Sequence, residues 1–441
     1  MKITDLKSAI IGNNICLRVK TDKGIDGYSQ VEENKDFINV NVPYFRDMIV
    51  GCDPTNVEDV MRRIRRLGAF KPWGKLVSSI EMALWDIAGK AYGIPVYQML
   101  GGKFRDKVRM YCDTDVDGKD TGLNMGDALK KRVEKHGYTM LKMDLGINQL
   151  WDVEGGLCAP TGFLEQYGYT AKMAREAKAR GDKAAARWWA NRSYDVNNIA
   201  HPFTGIHITK KGFDYLENYV KEVRSVIGYE IPLSIDHFGH IGVEDCIKLA
   251  NRLENYNMCW LEDMIPWQLT DQYVRLHNAS TTPIATGEDI YLLENFKPLL
   301  DNRAVSIIHP DILSSGGIYE TKKIGDYAEE CGVAMALHMA ETPRCVPRRR
   351  CTSLRRPTTS SAWSSTPTTW IGGATWSRTP RSPRSSTASW RFPRSPASAS
   401  TSWTTRSWPS TSTPKSPACG RARTSGTTGS LTIASGPKKS D

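Results

Sequence analysis

The sequence predicts an α/β protein: a βα barrel, preceded by a small α+β domain and followed by a segment that fits neither. Three observations carry this reading. Acidic residues close three apolar runs at even spacing, Asp236 in IPLSID, Glu262 in MCWLED and Glu288 in TPIATGED, with intervals of 26 and 26 residues. Each interval is the length of one strand, one helix and two loops. The rhythm then continues to Asp311 in AVSIIHPD, 23 residues on, and His338 in VAMALH, 27 beyond that. Finally, the chain changes character near residue 344.

The elements follow in order. In residues 1–107, ICLRVKTD and GIDGYSQVEE read as a hairpin around Lys23-Gly24. VEDVMRRIRRLG and SSIEMALWDIAGKAYG read as helices, the second with apolar residues at helical spacing and a glycine stop. The barrel spans 108–343, with VRMYCDTD (108–115) as its first strand and YTMLKMDL (138–145) as its second. The stretch 147–204 is far longer than an ordinary βα loop. It carries a basic helical segment over 171–187 that ends in Trp188-Trp189. It reads either as a lid over the barrel mouth or as an insertion packed on the domain or on a neighbouring subunit, its basic residues being a solvated face.

Residues 344–441 hold 14 Arg, 3 Lys and one acid, Asp441, for a net +16. The whole chain is +11, so subtracting 16 leaves residues 1–343 at −5, an ordinary value for an enzyme. The basic balance therefore does not mark the body of the chain as a nucleic-acid binder. The tail is rich in Ser, Thr, Pro and Arg, yet it holds six of the 13 tryptophans. Disordered tails are poor in aromatic residues, so a shifted reading frame accounts for it better than a linker does. The rival reading is a basic tail binding RNA or DNA through Arg on phosphates and Trp on bases.

No apolar run is long enough to span a membrane, and MKITDLKSAIIGNN lacks the apolar core of a signal peptide. Ten cysteines without a CxxC pair read as reduced, incidental thiols. A cytoplasmic protein is expected.

Five side chains at the ends of five successive strands would share one mouth of a barrel, where the catalytic groups of such folds sit. The carboxylates of Asp236, Glu262 and Glu288 would form a hard oxygen site suited to Mg²⁺. One acid at a strand end is more often a helix cap, and one histidine after AMAL is more often a core residue. It is the spacing that singles these out. Lys142 within an apolar strand is costly to bury without a partner, so a functional role is expected for it. Asp144 either neutralises Lys142 or contacts substrate, and Asp263 and Asp289 are expected to face away from the mouth.

SSIEMALWDIAGKAYGIPVYQMLGGKFRDKV, WLEDMIPW, TGEDIY and HPDILSSGGIYETKKIGDYA resemble the enolase superfamily, in its mandelate racemase and muconate lactonizing enzyme family. The resemblance covers about residues 1–343. It implies an α+β capping domain on a modified (β/α)7β TIM barrel, Mg²⁺ as cofactor and removal of the proton next to a substrate carboxylate. It places the metal ligands on Asp236, Glu262 and Glu288, the His-Asp dyad on His338 and Asp311, and the second-strand lysine on Lys142. Many members carry Lys-x-Lys there, whereas this chain has Lys142-Met143-Asp144. That weakens a two-base racemase and favours a one-base sugar-acid dehydratase of the pentonate or hexonate type, with Asp144 and His240 (in DHFGH, beside His237 and Phe238) as substrate contacts.

The expected product is a 2-keto-3-deoxy acid. Racemisation, epimerisation or cycloisomerisation of a carboxylate is the enzymatic alternative, and an inactive relic with a nucleic-acid-binding tail is the non-enzymatic one. A homo-oligomer, no membrane partner and no nucleic-acid partner are expected. The resemblance also implies an eighth strand with an acid near position 358, but Thr358 stands there among TTSSAW. The barrel is expected to be incomplete at that end.

Overall fold

The computed structural model describes residues 1–11, 14–32, 35–66, 74–103, 107–116, 118–197, 205–236 and 241–339, and the backbone of segments 360–364 and 389–391. The first residues form an antiparallel sheet in the order β1 (Ile3–Ile11), β2 (Asn14–Thr21), β3 (Gly27–Gln30). β2 and β3 are the expected hairpin, with Gly24 at φ 72° in its turn. Three helices cover this sheet: α1 (Val42–Ile49), α2 (Val57–Arg66) and α3 (Gly74–Tyr92), the last two being the helices expected from periodicity. Ile15, Leu17, Val19, Phe45, Ile64, Ile80 and Leu84 close a core of their own.

A short α4 (Val96–Met99) leads into the barrel, which opens with β4 (Lys107–Cys112), α5 (Gly122–His136) and β5 (Leu141–Asp144). After β5 come a small β6 (Leu157–Cys158), α6 (Phe163–Ala179), α7 (Lys183–Asn197) and β7 (His207–Ile208), β6 pairing with β7. The single basic helix read over 171–187 is thus two helices, because Gly181 at φ 76° turns the chain between them. The barrel resumes with α8 (Lys210–Ile227), β8 (Leu233–Asp236), α9 (Val243–Leu253), β9 (Met258–Glu262), α10 (Thr270–Ala279), β10 (Ile284–Thr286), α11 (Leu293–Asp301), β11 (Ile307–Ile308), α12 (Ile312–Ser315), α13 (Ile318–Glu330) and β12 (Ala334–Leu337).

The sheet order β12-β11-β10-β9-β8-β5-β4 is parallel throughout, as alternating strands and helices require. α5 packs against α8 at close range: a Cβ on Gly122 would lie 2.0 Å from the Tyr219 carbonyl oxygen. Thr121 caps α5 by accepting from the Asn124 N–H, and Thr209 caps α8 in the same way through Gly212. On α8, buried Arg224 donates to four carbonyl oxygens, those of Gly228, Ile231, Tyr256 and Asn257, at 2.7–3.1 Å. It pins the turns that enter β8 and β9, a role with no sequence signature.

β13 (Ser360–Ser364) pairs antiparallel with both β12 and β4, and β14 (Ser389–Arg391) pairs antiparallel with β4. The ring is closed by a strand that runs against the other seven. Residues 340–359, including Thr358, lie outside the described residues. Among the described residues, Cys52, Cys112, Cys158, Cys246, Cys259 and Cys331 are free. No helix among the described residues is long and apolar enough to cross a membrane.

A buried acid on α3 joins the N-terminal helices to the barrel, beside the Arg65–Glu320 pair at 2.8 Å between α2 and α13. Glu81 on α3 accepts from the N–H groups of Ile318 (2.7 Å) and Tyr319 (2.9 Å), which open α13, and from Trp85 Nε1 (2.6 Å). An anion at a helix N-terminus satisfies donors that the helix cannot. Burial nevertheless raises its carboxyl to about 7 against these donors. Gly317, at φ 93°, makes room: a Cβ there would sit 2.1 Å from Glu81 Oε2. Ser78 Oγ adds a bond from the Gly316 N–H at 3.0 Å. Glu81→Ala would leave three N–H groups unpaired and is expected to cost about 2–5 kcal/mol in denaturant unfolding. Glu81→Gln keeps an acceptor oxygen and should cost less. An alanine variant as stable as the wild type would show that this joint is not structural.

Candidate active site

The strand register assembles the site. Asp144 on β5 pairs with Asp236 on β8, and Asp236 pairs with Glu262 on β9. Residues in register on adjacent parallel strands point to the same side, so three carboxylates stand side by side at one level. Lys142 lies two residues before Asp144 and therefore shares its face, one layer deeper. Its ammonium is 1% exposed and lies 2.7 Å from Asp236 Oδ2, 3.1 Å from Glu262 Oε1 and 3.1 Å from Asp113 Oδ2. Asp113, just beyond β4, was missed in the sequence. The signal was present, since it stands at the end of the first barrel strand as Asp236 and Glu262 stand at the ends of theirs.

Asp263 corrects a second reading. It was expected to face away, but its backbone sits at φ 48°, which turns the side chain back toward the mouth. Its Oδ1 accepts from Thr286 Oγ1 at 2.6 Å. Two groups of carboxylate oxygens result, Asp113–Asp144–Asp236 and Asp236–Glu262–Asp263, each with its atoms within 4.8 Å of one another. Glu288 belongs to neither. Its Oε2 is 2.9 Å from His338 Nε2, while His338 Nδ1 is 2.8 Å from Asp311 Oδ2. His338 therefore bridges two carboxylates, and an imidazolium there explains why Glu288 leans toward it. Asp311 Oδ1 is fixed by the Leu313 N–H at 2.7 Å, and Asp311 and His338 are themselves bridged across their strands. His240, with His237 and Phe238, lies outside the described residues.

Behind Glu262 is an aromatic layer. Trp260 Nε1 donates to Glu262 Oε2 at 2.9 Å, and buried His309 places Nε2 3.8 Å from the same oxygen. Tyr111 and Trp260 pack edge to face at 5.4 Å. Burial, together with the Lys142 and His338 cations, holds the His309 imidazole well below its usual pKa.

The electrostatics are lopsided. Among the described residues, Asp113, Asp144, Asp236, Glu262 and Asp263 cluster around one ammonium, that of Lys142. Burial, then the neighbouring carboxylates, pushes Asp144 and Asp236 up to about 8. Burial acts against the Lys142 ammonium, but Asp113, Asp236 and Glu262 outweigh it and hold the ammonium protonated. Burial would raise Glu288, yet His338 outweighs it and brings that carboxyl to about 2. Among the described residues, Asp236 Oδ1 is buried without a hydrogen-bond partner. Hard oxygens, an excess of negative charge and an orphaned carboxylate atom together fit a divalent cation. Among the described residues, Asp236 and Glu262 are the pair best placed to hold one.

A consequence can be measured in the presence of a chelator. Free carboxyls titrate near 4, so between about pH 4 and 8 the folded chain retains protons that the unfolded chain has released. Stability should therefore fall as pH rises through that range. Metal-free thermal melts at pH 5 and pH 8 test this, and a higher midpoint at pH 8 would contradict it.

Comparison with known proteins agrees with this geometry. Residues 124–347 match the profile of the enolase C-terminal domain-like family. Residues 8–101 match that of the mandelate racemase/muconate lactonizing enzyme N-terminal domain. The chain is 28% identical over 351 residues to a D-xylonate dehydratase of Haloferax volcanii, covering 78% of this chain and 73% of that protein. It is 32% identical over 299 residues to a D-galactonate dehydratase family member of Pantoea ananatis, covering 67% and 65%. Its fold is similar to that of a mandelate racemase/muconate lactonizing enzyme-like protein from Rubrobacter xylanophilus, with TM-score 0.60, 23% identity and coverage of 77% and 80%. A 3,6-anhydro-D-galactonate cycloisomerase from Zobellia galactanivorans has TM-score 0.54, 22% identity and coverage of 77% and 80%. A parallel barrel with carboxylates in register at its strand ends, matched over both of its parts, makes this chain a member of the mandelate racemase/muconate lactonizing enzyme family of the enolase superfamily.

Proposed function

We propose that this chain is built as a Mg²⁺-dependent sugar-acid dehydratase, a lyase that removes the proton next to a carboxylate and eliminates water to leave a 2-keto-3-deoxy acid. The observation that carries the reading is His338, tied through Nδ1 to Asp311 at 2.8 Å and thereby presenting Nε2 as the reacting atom. The similarity to D-xylonate and D-galactonate dehydratases supports the substrate class. Part of the same reading is a division into a capping domain (1–107), a catalytic barrel (108–343) and an aberrant tail (344–441), in a cytoplasmic homo-oligomer.

Asp236, Glu262 and Glu288 would hold the ion, with Glu288 leaving His338 to do so. A divalent cation bound there supplies charge to neutralise the enolate that forms when the α proton leaves. His338 Nε2 takes the C2 proton, and Asp311 fixes the tautomer and stabilises the imidazolium. The same Nε2–H then protonates the departing C3 hydroxyl, so C2–H and C3–O break, water leaves and the enol product tautomerises to the ketone. Lys142 donates to the developing enolate oxygen. Asp144 and His240 take the substrate hydroxyls.

Racemisation has one feature against it here. Asp144 occupies the position where a second lysine would stand, and its raised carboxyl sits among other acids rather than beside a cation free to act as a base. A panel of pentonates and hexonates labelled with deuterium at C2 separates the two: keto-acid formation is expected, and wash-out of label without loss of water would overturn dehydration. His338→Asn should lower kcat by about 10²–10⁴-fold. Divalent metal should also raise the thermal midpoint at pH 8 more than at pH 5, because it replaces the protons that Asp236 and its neighbours retain at low pH. No metal effect at either pH would argue against the assigned ligands.

A further inference from the structure

We infer that Lys142 is a tethered counter-ion for the metal site. Its ammonium and a divalent cation compete for the Asp236–Glu262 carboxylates, and Asp113 is the positioning residue that keeps the ammonium when the metal takes the pair. The inference rests on the metal assignment above and goes beyond it, since it gives Lys142 a role before any substrate arrives and gives Asp113 a role at all.

The geometry points this way through three facts. The ammonium lies on the two oxygens best placed for the ion, Asp236 Oδ2 at 2.7 Å and Glu262 Oε1 at 3.1 Å, so ion and ammonium would share the same ligand atoms. Lys142 is buried to 1% exposure on a strand, so it has no route to water and must move within the barrel mouth. A second acid waits beside it: Asp113 Oδ2 is already 3.1 Å from the ammonium. Its carboxylate groups with those of Asp144 and Asp236 on the side away from Glu262 and Asp263.

Burying an unpaired ammonium or an unpaired carboxylate pair is costly, so each charge must change partners together with the other. In the metal-free site Lys142 neutralises part of this charge from within. With a metal bound, the pairing of Lys142 with three strand-end acids would shift from Asp113–Lys142–(Asp236, Glu262) to Asp113–Lys142 alone, leaving Asp236 and Glu262 to hold the ion. Asp113 thus couples metal occupancy to the placement of Lys142.

Two measurements on the full-length chain test this. The first is calorimetric titration with Mn²⁺ of the wild type, Lys142→Met, Asp113→Asn and the double variant. Lys142→Met is expected to bind Mn²⁺ about tenfold or more tighter than the wild type, because a unit charge within ~4 Å of a divalent ion is strongly unfavourable even at an effective dielectric of ~20. Asp113→Asn should weaken binding in the wild-type background, since the ammonium then has only Asp236 and Glu262. It should weaken binding distinctly less when Lys142 is already methionine, as a double-mutant cycle resolves.

Equal or weaker binding by Lys142→Met overturns the competition while leaving the metal assignment intact. Binding by neither protein overturns both. An Asp113→Asn effect of the same size in both backgrounds overturns the positioning role. The second measurement needs no variant to fold: a crystal structure of the wild type with Mn²⁺ should show the Lys142 ammonium still on Asp113 and withdrawn from Asp236 and Glu262. An ammonium that remains on both ligands beside the bound ion overturns the inference.

Discussion

The site depends on one constraint, the confinement of several carboxylates at adjacent strand ends around a single buried ammonium. Asp113, Asp236 and Glu262 converge on Lys142 from three strands. None of the four would be stable there alone, because an isolated ion loses most of its hydration on burial. The cluster tolerates burial by sharing charge and by retaining protons, and it remains short of positive charge. That shortage is the chemical property the barrel mouth offers: affinity for a hard cation, and a field that favours negative charge only after that cation is present.

Sheet register creates the cluster, and the register is set from outside the site. The strands hold Asp144, Asp236 and Glu262 level because helices seat at fixed distances on the outer face, as where α5 meets α8 at Gly122. Arg224 fixes the turns entering β8 and β9, so the strands that deliver Asp236 and Glu262 start from pinned positions. Trp260 then orients Glu262 from within the barrel, with His309 kept neutral beside it. Orientation of this kind, one shell behind the reacting groups, governs the affinity of metal sites generally.

The N-terminal helices are tied to the barrel through the start of α13, which follows Asp311 and α12. Glu81 and Ser78 reach across to the Gly316-Gly317 turn and the first N–H groups of the helix. The joint therefore braces the segment that carries Asp311, and through it the orientation of His338. Loss of this brace would be felt at the dyad as well as in stability.

The even spacing of Asp236, Glu262, Glu288, Asp311 and His338 was sufficient to predict a barrel and to place these residues at one mouth, because a βα repeat has a nearly fixed length and every strand end must emerge on the same side. The two helices of the first domain were legible from periodicity, and Lys142 from the cost of burying it. Distances and partners were not. Asp113 joins the cluster from the end of β4, a strand-end signal the sequence carried, whereas Asp263 joins it through a left-handed backbone angle that spacing does not encode. Glu288 sits with His338 rather than with Asp236 because attraction between charges decides its rotamer. The ring is closed by a reversed strand, which no pattern in the tail foretold. Sequence alone determined that Asp236, Glu262, Glu288, Asp311 and His338 share a rim, since that follows from chain length between strands. Only the tertiary structure decided which of them touch, since contact depends on register, side-chain direction and the balance of charge in a space that water does not fill.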